Sequence, residues 1–106
     1  MYLPKKYTDF TKDFPEITDA YKTLASACRD KGGPLSEKDQ DMIKLGIALG
    51  ANSRGGVMSS TRKALNAGAT HEEIVHAVLL GLTTTGFPNM IAAMGWVNEV
   101  LSEREE

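Results

Sequence analysis

Asn52-Ser53-Arg54-Gly55-Gly56 places a guanidinium, a hydroxyl and two glycines in consecutive positions. At a helix start the first backbone N–H groups have no partner within the helix. Such a stretch can therefore hold a carboxylate or phosphate between those donors and the arginine. The same residues also suit a plain helix–helix turn, with the glycines serving the backbone. His76 is the second candidate. It interrupts an apolar run, and Glu72 and Glu73, one turn earlier, are spaced to orient an imidazole acting as general base. The other reading of His76 is a hydrogen-bonded core or interface histidine. His71 reads as a helix-start surface residue, and Arg62 and Lys63 as a solvent face.

Cys28 is the only cysteine, so one chain cannot assemble a disulfide, a Cys-x-x-Cys couple or a thiolate cluster. Its place on an apolar stripe suggests a buried structural thiol. With two histidines and no cysteine cluster, no metal-ligand spacing is present. Phosphate-loop, nucleophile-elbow and dinucleotide-binding glycine motifs are also lacking, so neither metal nor cofactor is expected. Net charge is -2 with lysines and arginines scattered, which favours neither nucleic acid nor a membrane surface. The start, Met1-Tyr2-Leu3-Pro4-Lys5-Lys6, lacks an apolar leader, and no window approaches about 18 uninterrupted apolar residues. The expectation is a cytoplasmic protein of one domain, 106 residues long, 42% hydrophobic and 25% charged.

Helices must carry these residues. Residues 1–12 lack a period and suggest an extended arm that docks through Tyr2, Leu3, Tyr7 and Phe10. A first helix is predicted from an Asp13 cap with Pro15 in its first turn. Ile17, Ala20, Tyr21, Leu24, Ala25 and Cys28 form its stripe, and Gly32-Gly33-Pro34 ends it. Ser36 caps the next, with Asp39 three residues on. Met42, Ile43, Leu45, Ile47, Ala48 and Leu49 then predict a largely buried helix running to Gly50. A third runs from Gly55 or Gly56 to Asn66, with Gly68 in the left-handed closing position. Thr70-His71-Glu72-Glu73 is a capping box for a helix through Leu82 that is apolar nearly all round, which predicts a subunit interface. Gly86 ends it and Pro88 opens the last helix, striped by Met90, Ile91, Met94, Val97 and Leu101, before residues 102–106 fray. No hairpin or alternating strand pattern is present. The predicted class is all-α, with five or six helices.

Three segments carry a family resemblance: Leu35-Ser36-x-Lys38, Ala64-Leu65-x-Ala67-Gly68-Ala69-Thr70-x-Glu72-Glu73-Ile74, and Gly86-Phe87-Pro88. Together with the Asp41–Ala69 frame they resemble the carboxymuconolactone decarboxylase and alkylhydroperoxidase D superfamily, over roughly residues 15–101. That family's centre runs from an acidic residue through Cys-x-x-Cys at a helix start to a histidine and then Ala-Leu-x-x-Gly. On this frame the two cysteines fall on Ser53 and Gly56, the histidine on Ser60 and the acid on Asp41. The resemblance implies an alkylhydroperoxidase D-like fold in a ring oligomer, a trimer or hexamer. Asp41 and Ser60, at positions the resemblance marks as functional, join His76 as catalytic candidates, and Ser53, Arg54, Gly55 and Gly56 remain the ligand-binding candidates read from the residues themselves. Asp41 reads equally as a solvated first-turn acid. Dithiol peroxidase chemistry, the peroxiredoxin activity known in the family, needs the two missing cysteines. The expected activity is binding or transformation of a small carboxylated or lactone-like molecule; the alternative is a catalytically degenerate member with an oligomeric role.

Overall fold

Helices alone make up the regular structure of the described residues, 4–105, in the computed structural model. The expected docking of Tyr2 and Leu3 and the chain end at Glu106 lie outside the described residues. The chain divides between Pro34 and Leu35 into two compact units. The first holds α1 (Lys5–Asp13) and α2 (Pro15–Lys31). The second holds α3 (Glu37–Gly50), α4 (Arg54–Asn66), α5 (His71–Leu79), the short α6 (Leu82–Thr85) and α7 (Phe87–Glu105). The all-α expectation holds, with a single extra turn at α6.

Two expectations fail in the first unit. Residues expected as an extended arm form α1, whose local links are short-range. Lys5 Nζ meets Asp9 Oδ2 at 2.8 Å, and the Thr8 and Thr11 hydroxyls donate to the carbonyls of Lys5 and Thr8. A helix this brief offers too few positions for a period to be read. Its end is set by Pro15, because the residue before a proline is pushed out of helical geometry. Phe14, at φ -131° and ψ 65°, is therefore the cap of α2 in place of Asp13. The Phe10 and Phe14 rings pack with centroids 5.1 Å apart. The stripe of α2 is the second correction. Ile17, Tyr21, Leu24 and Cys28 are all exposed, so Cys28 is not a buried thiol. Periodicity identifies a row that favours cover, and says nothing about what supplies it.

In the second unit, α3 and α4 form an antiparallel hairpin, and α7 packs against α3, α4, α5 and α6. Leu45 and Leu49 of α3, Val57 and Ala64 of α4, Ile74 and Val78 of α5, and Met90, Ala93 and Val97 of α7 make the core. Only one side of α3 is buried: Ile43 and Ile47, expected inside, are exposed. The closing glycine is as predicted. Gly68 sits at φ 101°, with its N–H on Leu65 O at 3.1 Å and the Ala69 N–H on Ala64 O at 2.9 Å. The capping box of α5 forms in full between Thr70 and Glu73. The helix expected through Leu82 instead stops at Leu79, because the chain must pass tightly over Leu49. A Cβ on Gly81 would come within 2.8 Å of Leu49 Cδ2. Residues 102–105 continue α7 rather than fraying, since Glu103 and Arg104 are tied to α4.

Candidate functional site

The link between α3 and α4 is two caps placed back to back. Asn52 adopts φ 54° and donates to Leu49 O at 3.0 Å, while the Ser53 N–H reaches Ala48 O at 3.0 Å. That closes α3 in the same way that Gly68 closes α4. Ser53 then opens α4, its Oγ accepting from the Gly56 N–H at 3.1 Å. Gly56 lies hard against α3: a Cβ there would stand 2.9 Å from Ser53 Oγ and 3.0 Å from Ala48 Cβ. Nothing crowds Gly55. Arg54 Nη2 donates to Glu99 Oε2 of α7 at 3.0 Å, with both side chains exposed. The expected anion-binding stretch thus performs three structural tasks.

Asp41 is 2% exposed, so it is not a solvated first-turn acid. It shares the four-residue spacing of Leu45 and Leu49, which sets it on the core row of α3. Its side chain is engaged within the fold. Because Ala48 abuts Gly56, Asp41, two turns earlier on an antiparallel partner, lies opposite the 60–64 stretch of α4. There Thr61 is fully buried, its Oγ1 donating to Val57 O at 2.7 Å. Ser60 is half-buried beside it.

His76 goes elsewhere. It stands two residues from each of Ile74 and Val78, the buried positions of α5, so it points to the opposite side and is exposed. Glu73 is not available to orient it in this arrangement. Glu73 Oε1 accepts from the Thr70 N–H at 2.9 Å and Oε2 from Lys38 Nζ at 2.8 Å. The Lys38 hydrogen bond first, then the Thr70 backbone donor, hold the Glu73 carboxyl below its ordinary value of 4.5. Asp41 is thus a buried residue of α3 and Ser60 a half-buried residue of α4, Ser53 and Gly56 make the α3–α4 turn, and Arg54 and His76 are at the surface.

Sequence reasoning missed several partners. Lys38 was visible only as part of a motif, and its bond to Glu73 joins α3 to α5. Asn89 Nδ2 donates to Leu49 O at 2.8 Å from 40 residues away, and Glu99 reaches Arg54 across 45. No local pattern signals such pairs. Arg62, expected on a solvent face, has a side chain only 17% exposed and binds both Glu103 oxygens, at 3.1 and 3.0 Å. The Arg104 guanidinium closes that corner, donating to Arg62 O and Asn66 Oδ1. Among the described residues no group of three or more His, Cys, Asp or Glu is placed to hold a metal ion. No helix there is long and apolar enough to cross a membrane.

The family model described as Carboxymuconolactone decarboxylase family matches residues 15–99. No curated protein and no solved structure matches the chain at a significant level.

Proposed function

The chain belongs to the carboxymuconolactone decarboxylase family, and from that premise we propose that it binds a small carboxylated or lactone-like molecule along the α3–α4 seam without thiol chemistry. The observation that carries this reading is the burial of Asp41 on the core row of α3. A leucine there would continue the row of Leu45 and Leu49, whereas a carboxylate must be taken out of water to occupy the same position. A carboxylate at such a position makes sense as one end of a ligand site. Ser60 of α4, half-buried, is the hydroxyl candidate of the same reading. At the far end of the seam, the α4 start at Ser53, Arg54, Gly55 and Gly56 receives the ligand carboxylate, about two turns or roughly 10 Å from Ser60. The exposed Arg54–Glu99 pair is worth about 0–1 kcal/mol, so a ligand anion competes for that guanidinium. Any transformation in this reading is a decarboxylase-like lyase step with Asp41 as proton carrier. A serine or threonine hydroxyl can position a substrate but does not titrate near neutral pH.

The experiment is a thermal-shift panel of small mono- and dicarboxylates and lactones, since a ligand that binds only the folded chain must raise Tm. Wild type should be stabilised by a member of the panel, with the shift lost in Asp41→Asn. In Arg54→Ala it should be reduced by about 1–3 kcal/mol of binding free energy. A panel with no shift favours the second reading, a catalytically degenerate member whose role is oligomeric. That reading draws on the structural employment of Ser53, Arg54 and Gly56 and on the exposure of His76. In both readings we propose self-association into a trimer or hexamer, supported by the exposed Ile47, Leu80 and Phe87.

A further inference from the structure

The helix α7 holds the α3–α4 link at two places, and the two ties differ in kind. From its first turn the half-buried Asn89 donates through Nδ2 to Leu49 O at 2.8 Å. Leu49 O also takes the N–H of Asn52, the left-handed residue of the link, so this tie anchors the turn itself. From the middle of α7, Glu99 Oε2 accepts from Arg54 Nη2 at 3.0 Å, with side chains 53 and 61% exposed. Water already reaches both of those groups, and such a pair contributes little to folding. Beside it the start of α4 is open. Ser53 takes the Gly56 N–H on its Oγ at 3.1 Å and the Val57 N–H on its carbonyl at 2.8 Å. The helix supplies no partner for the N–H groups of Arg54 and Gly55, and nothing lies within 4 Å of the Cβ position of Gly55.

We infer that Glu99 is the specificity-determining residue of this stretch, a carboxylate of the chain itself that holds the Arg54 guanidinium until a ligand displaces it. The inference rests on the reading in which the start of α4 receives the ligand carboxylate. What it adds is a threshold. An anion that offers the guanidinium only what Glu99 offers, one charge-assisted bond, gains nothing by the exchange, and the tethered Glu99 has the advantage in effective concentration. A ligand carboxylate prevails by placing one oxygen on the guanidinium and the other on the Gly55 N–H, where the helix dipole also favours negative charge. A planar carboxylate on a slender stem meets that requirement, and a halide with a single point of contact does not. Release of Glu99 leaves the framework in place. Asn89 still anchors the link from the α3 side, and Arg62 with Glu103 and Arg104 with Asn66 still join α4 to α7.

The test is an amide titration of the isotope-labelled full-length chain with sodium acetate at fixed pH, followed at the N–H resonances of Arg54 and Gly55. Wild type should show a saturable movement at Gly55, and Glu99→Gln should bind acetate about 2- to 5-fold more tightly, the range that an exposed ion pair spans. The gain must pass through the guanidinium. In Arg54→Ala, therefore, acetate should bind more weakly and Glu99→Gln should add nothing, whereas a general effect of removing one negative charge raises affinity equally in both backgrounds. Equal gains in the two backgrounds, or no gain beside an intact Arg54, overturn the inference and leave the ligand reading standing as long as wild type titrates. If acetate moves the resonances of neither wild type nor Glu99→Gln, the start of α4 is no carboxylate site and both fall. Sodium chloride over the same range should produce no saturable movement, and one equal to that of acetate would overturn the two-point threshold.

Discussion

Single residues decide what chemistry this family frame retains. Gly56 stands where the resemblance places a thiol, and the space for a side chain there is taken by Ser53 Oγ and Ala48 Cβ. The absent cysteine is thus matched by close packing of the two helices. Gly56→Ala should destabilise the fold by about 1–3 kcal/mol through overpacking, measured by urea denaturation. The gain in helix propensity of alanine over glycine, about 1 kcal/mol, works in the opposite direction. An increase in stability would mean that α3 yields more easily than its contact distances suggest. The same reasoning bears on redox chemistry. Wild type should show no dithiol-dependent hydroperoxide turnover, since Cys28 is the single thiol and a dithiol couple needs two in one chain. Turnover that disappears in Cys28→Ser would refute this.

At the level of the element, α5 is fixed by its first turn. Thr70 Oγ accepts from the Glu73 N–H at 3.0 Å, Glu73 returns the bond, and Lys38 of α3 holds the same carboxylate. Thr70→Ala should cost about 0.5–2 kcal/mol, read from the denaturation midpoint. Glu73 adds a pH dependence whose sign follows from the direction of its shift. Its folded-state pKa is below the ordinary 4.5, so its contribution is fully present above that value and is lost as pH falls through the lower, folded-state pKa. Melting curves taken downward from pH 4.5 should therefore show wild type losing its advantage over Glu73→Gln. A gap that stays constant with pH would mean that the carboxylate charge does not contribute.

For the molecule as a whole, the relevant fact is how much apolar surface remains uncovered. Leu79, Leu80 and Leu82 near α5, Phe87 and Ile91 of α7, and Ile43 and Ile47 of α3 are all exposed. Fully burying one such side chain contributes about 1.5–3 kcal/mol, against the roughly 5–15 kcal/mol that holds a domain together. Association should therefore be strongly favoured. Light scattering at micromolar concentration should give at least a trimer, with Tm rising as protein concentration rises. Leu80→Asp together with Phe87→Asp should lower the mass while leaving helix content intact. A concentration-independent melt of a folded monomer would contradict the expectation.

What the sequence determined by itself was everything governed by neighbours in the chain. The caps at Ser36 and Thr70, the left-handed Gly68, the break before Pro88 and the helical class all follow from interactions within a few residues, where side-chain type is sufficient. The family frame was legible for the same reason, since it is a matter of spacing. Tertiary structure alone decided the rest. An amphipathic row marks a side that favours cover, but Leu45 gained it and Tyr21 did not, because cover comes from helices distant in sequence. Arg54 met Glu99, Arg62 met Glu103 and Asn89 met Leu49 across 40 or more residues. Asp41 became a buried side chain and His76 an exposed one through the rotation of each helix about its own axis, which packing sets and spacing alone does not.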